Sequence, residues 1–237
     1  MISSERNDSL LVWIAICLIT VFGLTSYHAL YSEQNSLFNK MRRSVVVIKR
    51  IDVVKKIGGT GSGTIIKRRN NTYYILTCAH VVGSEIIREK TAMIFVNFTT
   101  QFGQEKSYPA KVIKYDASLD LAVIKVNMKE HGLLVASISR KRPKLGDVAY
   151  SMGNPMGIER VLSKGLISSL LFKGYYMFDG VITSGNSGGA LFNSKGELIG
   201  VPSQGPNYSV GITEGVPESN LGMSIDLPTL TKFIRGI

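Results

Sequence analysis

Gly185-Asn186-Ser187-Gly188-Gly189, running on into Ala190-Leu191, is the stretch from which the rest of the chain is read. A serine set among glycines has what a nucleophile needs. The backbone can turn sharply, Oγ stays uncovered, and neighbouring N–H groups can converge on one oxygen. Glycine-rich serine turns also occur without chemistry, so the stretch takes its meaning from its company.

Two other stretches keep it company. Thr77-Cys78-Ala79-His80-Val81-Val82 ends an apolar run, where a histidine held on a rigid wall can face a cleft. A lone histidine is more often a satisfied core or surface residue. The other two do not compete as a general base: His28 lies in an uncharged N-terminal run and His131 in a polar turn. Ser118-Leu119-Asp120-Leu121-Ala122-Val123 then sets a carboxylate directly before an apolar strand. Aspartate is common in such turns. It also suits a carboxylate that accepts the histidine Nδ1–H and fixes the tautomer. Asp116, in a polar turn, is the weaker rival.

Outward from these motifs, Val, Ile, Tyr and Phe form short runs punctuated by Gly, Asn, Asp, Ser and Pro. The first group covers residues 44–51, 63–67, 73–77, 92–98, 110–115 and 121–126. The second covers 135–138, 148–152, 160–170, 176–182, 190–192, 197–201 and 223–226. About six strands per half predict an all-β fold of two packed six-stranded antiparallel barrels, residues 44–130 and 131–227. Leu230, Phe233 and Ile234 lie at helical spacing after Pro228, which predicts a short C-terminal helix. Hydrophobic content of 44% with 19% charged residues excludes a disordered or collagen-like chain.

Residues 9–32 contain no Asp, Glu, Lys or Arg. Residues 10–29 match the roughly 20 helical residues that span a bilayer core, so residues 1–31 read as a single-pass transmembrane anchor and 32–43 as a juxtamembrane segment. A cleaved signal peptide fits less well, because Glu5, Arg6 and Asp8 precede the run and no small-x-small site follows it. A buried helix is the remaining alternative. Lys40, Arg42 and Arg43 favour a cytoplasmic C-terminal side, but large domains cross regardless of such charges, and the expectation is an extracytoplasmic domain. The net charge of +11 invites a nucleic-acid reading. The basic residues are scattered, however, with no zinc-finger or RNA-binding spacing, and read as a solvated face. Cys17 and Cys78 are not expected to pair.

His80, Asp120 and Ser187, in that order and in those settings, resemble the triad of the trypsin-like serine proteases, and specifically of the HtrA (Deg) family. The resemblance extends from about residue 43 to 235. It includes Gly61-Ser62-Gly63-Thr64, Met152-Gly153-Asn154-Pro155-Met156-Gly157, Lys164-Gly165-Leu166-Ile167-Ser168, Asp179 and Gly222-Met223-Ser224-Ile225. Departures occur at Cys78, at Thr183-Ser184 and at Ala190, where the family usually shows proline; none removes a catalytic group. The resemblance implies a serine endopeptidase acting on protein or peptide substrates, in quality control or regulatory proteolysis. It implies an oxyanion hole built from Gly185, Asn186 and Ser187, and a specificity pocket based on Val181. An aliphatic base predicts cleavage after Val, Ala or Leu, since a buried Lys or Arg would lack a counter-charge there. It also implies a homotrimer formed through residues 32–43. No metal, cofactor or specific nucleic acid is expected, nor a PDZ module of the kind many relatives carry. The alternative is a catalytically silent binding or sensing module, which the intact triad disfavours.

Overall fold

The structure, a computed structural model, describes residues 5–52, 54, 56–83, 92–100, 102–130, 132–203 and 222–237. His131 lies outside them, as do the side chains of residues 5–12, 14, 15 and 17. The chain divides into two compact units, Met1–Asn39 and Lys40–Ile237.

Over its described residues the first unit is helical. Helix α1 runs over Glu5–Arg43, so the segment 32–43 is helix throughout. Among the described residues no helix is long and apolar enough to cross a membrane. The structure thus shows the helix expected over 10–29 without showing that it is transmembrane.

The second unit holds two closed antiparallel barrels. Strands β1 (Val45–Asp52), β2 (Ile57–Arg69), β3 (Thr72–Thr77), β4 (Ala92–Thr99), β5 (Glu105–Asp116) and β6 (Leu121–Asn127) form the first. Their order around it is β1-β2-β3-β6-β5-β4, closed by pairing of β1 with β4. The second comprises β7 (Val148–Gly153), β8 (Val161–Ser169), β9 (Tyr175–Phe178), β10 (Ala190–Asn193), β11 (Leu198–Ser203) and β12 (Gly222–Asp226). It repeats the order as β7-β8-β9-β12-β11-β10. Closure leaves no free sheet edge within either barrel. Ile48, Ile65, Ile75, Leu76, Leu121 and Ile124 are fully buried in the first barrel, and Ile167, Phe178, Leu191, Phe192 and Val201 in the second. The final helix α3 (Leu227–Phe233) starts where Asp226 caps the Thr229 N–H and Pro228 enters the first turn.

One expected strand is absent. Residues 135–138 make only a single bridge, Ile138 to Leu198. Their surroundings explain it: Leu134 N–H bonds Arg43 O and Ala136 N–H bonds Ile65 O, while Ser137 O accepts from Leu198 N–H. The segment divides its backbone bonds between the barrels, as a connector must. β9 also stops early, at Phe178, because the Asp179 carboxylate then accepts from Leu166 N–H at 2.6 Å in place of a backbone carbonyl.

Candidate active site

His80 lies in a single helical turn, α2 (Ala79–Val82), that follows β3 directly. Ala79, Val81 and Val82 are buried there, which fixes the turn on the barrel and leaves the His80 ring facing out. Asp120 ends the tight turn before β6 in a left-handed conformation, φ 52°, which aspartate tolerates better than most residues. From there both its main chain and its carboxylate reach the histidine turn. Ala79 N–H bonds Asp120 O at 3.1 Å. The carboxylate accepts from His80 N–H at 3.0 Å and lies 2.8 and 3.0 Å from His80 Nδ1.

Ser203, at the end of β11, adds a third hydrogen bond by donating Oγ to Asp120 Oδ2 at 2.6 Å. Burial pushes the Asp120 carboxyl up, but the bonds from His80 and Ser203 outweigh it and hold the group below the usual range. Behind the carboxylate sits the free, fully buried Cys78, whose thiol reaches Pro202 O at 3.3 Å. Burial first, and the Asp120 charge second, push that thiol well above its ordinary value, which favours its protonated form. Cys78, His80 and Asp120 offer three donor atoms within 4.8 Å of one another. The thiol reaches Pro202 O and the carboxylate accepts from His80 and Ser203, so the cluster is built as a hydrogen-bonded unit.

Ser187 is buried in a turn between β9 and β10. Gly185 and Gly188 flank it with φ of +95° and +83°, a backbone that only glycine adopts without strain. Space matters as well: a Cβ on Gly188 would overlap Thr77 Oγ1 and Ser62 O. The turn that holds Ser187 is thereby pressed against the end of β3, the strand that leads to His80. Asn186 N–H bonds Thr183 O and Gly189 N–H bonds Asn186 O, which closes the turn. Neither Gly185 N–H nor Ser187 N–H has a hydrogen-bond partner among the described residues, and neither does the Ser187 hydroxyl.

Val181 lies on the surface, 57% exposed. Its neighbour Ile182 turns inward against Gly222 of β12, where an added Cβ would come within 2.7 Å of Ile182 Cγ1. Sequence counting did not single out Ile182.

Sequence reading also missed a polar clasp between the barrels. Glu159 accepts from Thr99 N–H and Oγ1 at 2.9 and 3.0 Å. Arg160, its side chain 9% exposed, donates to Thr99 O and Val45 O. Asn154, fully buried, accepts from Arg160 N–H and donates to Val46 O.

A family model described as a trypsin-like peptidase domain matches residues 61–201. Protease Do-like 8, chloroplastic, of Arabidopsis thaliana is 33% identical over 186 residues, covering 69% of this chain and 41% of its own length. Serine endoprotease DegS of Salmonella typhimurium is 33% identical over 183 residues, covering 73% and 47%. The chain therefore spans less than half the length of these relatives. The crystal structure of the serine endoprotease from Yersinia pestis aligns with a TM-score of 0.66 at 29% identity, over 84% of this chain and 64% of that one. The two six-stranded barrels and these matches agree: the chain belongs to the HtrA/Deg family of trypsin-like serine proteases.

Proposed function

We propose that this chain is a serine endopeptidase that cleaves peptide bonds through an acyl-enzyme, with Ser187 as nucleophile, His80 as general base and Asp120 as its partner. The observation that carries this reading is the contact between His80 Nδ1 and the Asp120 carboxylate at 2.8 Å, beside a turn that presents Ser187. Asp120 fixes the tautomer that leaves His80 Nε2 free to take the Ser187 proton and later give it to the leaving amine. Asn186 shapes a turn in which the N–H groups of Gly185 and Ser187 receive the oxyanion. Apo catalytic hydrogen bonds are often loose and tighten around substrate, which accommodates the unpartnered Ser187 hydroxyl. Fluorophosphonate labelling of the full chain in detergent tests the assignment. It is expected to require both Ser187 and His80. Equal labelling of wild type, Ser187→Ala and His80→Ala sinks it, and a folded protein without any labelling favours the binding module.

Specificity follows from the aliphatic pair Val181 and Ile182. Ile182 fills space next to Gly222, and this aliphatic pair favours small or medium aliphatic side chains and itself carries no charge to neutralise Lys or Arg. Reporters ending in Val or Ala are expected to outrun those ending in Lys; the reverse order rejects the pocket.

Membrane attachment is supported by the charge-free stretch 9–32 within a continuous helix. Thr20, Thr25 and Ser32 there donate their hydroxyls back to helix carbonyls, the arrangement an apolar surrounding demands. Retention in the membrane pellet after carbonate extraction is expected, and release into the supernatant excludes a spanning anchor. The extracytoplasmic placement rests on relatives named as periplasmic, among them DegQ of Escherichia coli. A trimer rests on the family resemblance alone and is tested by light scattering in detergent.

A further inference from the structure

Ser62 has no exposed surface, yet all three of its polar groups are engaged at the site. Its hydroxyl donates to Gly185 O at 2.6 Å and accepts from Asn154 N–H and Nδ2 at 2.8 and 2.9 Å. Its own N–H donates to Ser187 O at 2.9 Å. Its carbonyl accepts from Thr77 Oγ1 at 2.6 Å, three residues before His80. One residue of the first barrel thus touches both ends of the nucleophile turn, the clasp between the barrels, and the strand that delivers the base. The approach is close enough that a Cβ on the preceding Gly61 would sit 2.6 Å from Val81, the residue after His80.

We propose that Ser62 is a positioning residue for the oxyanion hole: by holding Gly185 O and Ser187 O it fixes the peptide that follows each donor, and with it the backbone that presents the Gly185 and Ser187 N–H groups. This rests on the reading of Gly185 and Ser187 as oxyanion donors. Gly185, at φ +95°, has a backbone without a side chain to restrain it. The two peptides around it are held by their carbonyls, Ser184 O by Met156 N–H at 3.1 Å and Gly185 O by the Ser62 hydroxyl. With both carbonyls directed away, the Gly185 N–H remains without a partner among the described residues. Rotation of the turn would bring a carbonyl toward the place meant for a donor and reverse the sign of the field there. Preorganised donors are effective because they need no reorganisation as charge develops. Ser62 supplies that preorganisation from the opposite barrel, so the hole is correct only when the barrels are in register.

The test uses the full chain in detergent with fluorophosphonate as the acylating probe. Affinity for a fluorescein-labelled peptide with Val at the cleaved position is measured in a Ser187→Ala background. Loss of one oxyanion donor in related chemistry costs about 100- to 1000-fold, and a residue acting through orientation is expected to cost less. Ser62→Ala is therefore expected to label about 10- to 100-fold more slowly, with Ser62→Cys in between and peptide affinity within about twofold of its parent. Thr64→Val, a change in the same strand at a buried hydroxyl that has no partner, is the control and is expected to label at the wild-type rate. Labelling of folded Ser62→Ala at the wild-type rate overturns the proposal. So does a parallel loss of peptide affinity, which would mark a general packing role. Should Ser62→Ala melt below the assay temperature, Ser62→Cys carries the comparison alone, and wild-type labelling by it is the overturning result. A wild-type protein that Ser187→Ala matches in labelling sinks the catalytic reading itself, and this proposal with it.

Discussion

Asp120 accepts from three directions: the His80 ring, the His80 main chain and the Ser203 hydroxyl. Its carboxyl is held below the usual range in the folded state. A group depressed in this way stabilises the fold fully above its unfolded value and loses that contribution as pH falls through its folded value. Removing one donor raises the folded value, so Ser203→Ala is expected to begin acid unfolding at a higher pH than wild type. An acid titration followed by near-ultraviolet circular dichroism checks it, and an unchanged midpoint contradicts it. Asp120→Asn is expected to fold and to lose about 10⁴-fold in kcat, the cost known for this substitution in other triads, where an amide favours the wrong histidine tautomer. A loss below about tenfold in steady-state kinetics would remove Asp120 from the mechanism.

At the level of elements, the clasp of Glu159 and Arg160 fastens the second barrel to β1 and β4 of the first. Arg160→Met would leave the carbonyls of Val45 and Thr99 without their charged donor. Hydrogen bonds to charged groups contribute about 1.5–3 kcal/mol each, so a loss of roughly 3 kcal/mol in urea unfolding is expected. Asp226→Ala removes the cap of α3 and is expected to cost about 1 kcal/mol. The ion pair of Asp226 with Arg142 adds little, since that arginine is 67% exposed. Much of the barrel layout was legible in the sequence, because β-branched runs and turn residues report local geometry. The turns that carry His80, Asp120 and Ser187 were legible as local motifs for the same reason, while the roles proposed for them rest on the resemblance and on the contact of His80 with Asp120. The clasp was not, since a Glu-Arg pair in a loop gives no hint that Thr99 lies opposite it. The run 135–138 misled because apolar extended residues read alike whether they join a ladder or bridge two barrels. Val181 and Ile182 show the same limit at its finest: one is exposed while its neighbour packs against Gly222, and counting back from Ser187 cannot tell which one turns inward.

For the whole molecule, the division at residues 39 and 40 predicts that the fragment 40–237 folds without the first unit. Its melting temperature is expected within a few degrees of the full chain in detergent, with fluorophosphonate labelling retained. A molten or aggregated fragment would show that the N-terminal helix contributes to folding. The thiol of Cys78, walled in behind the Asp120 carboxylate, carries a consequence of another kind. In a Cys17→Ser background it is the sole sulfhydryl of the chain, so alkylation acts as a clock for excursions that part the two barrels. Its rate, followed against denaturant, would time how often the site around His80 and Asp120 breathes open without any substrate being needed.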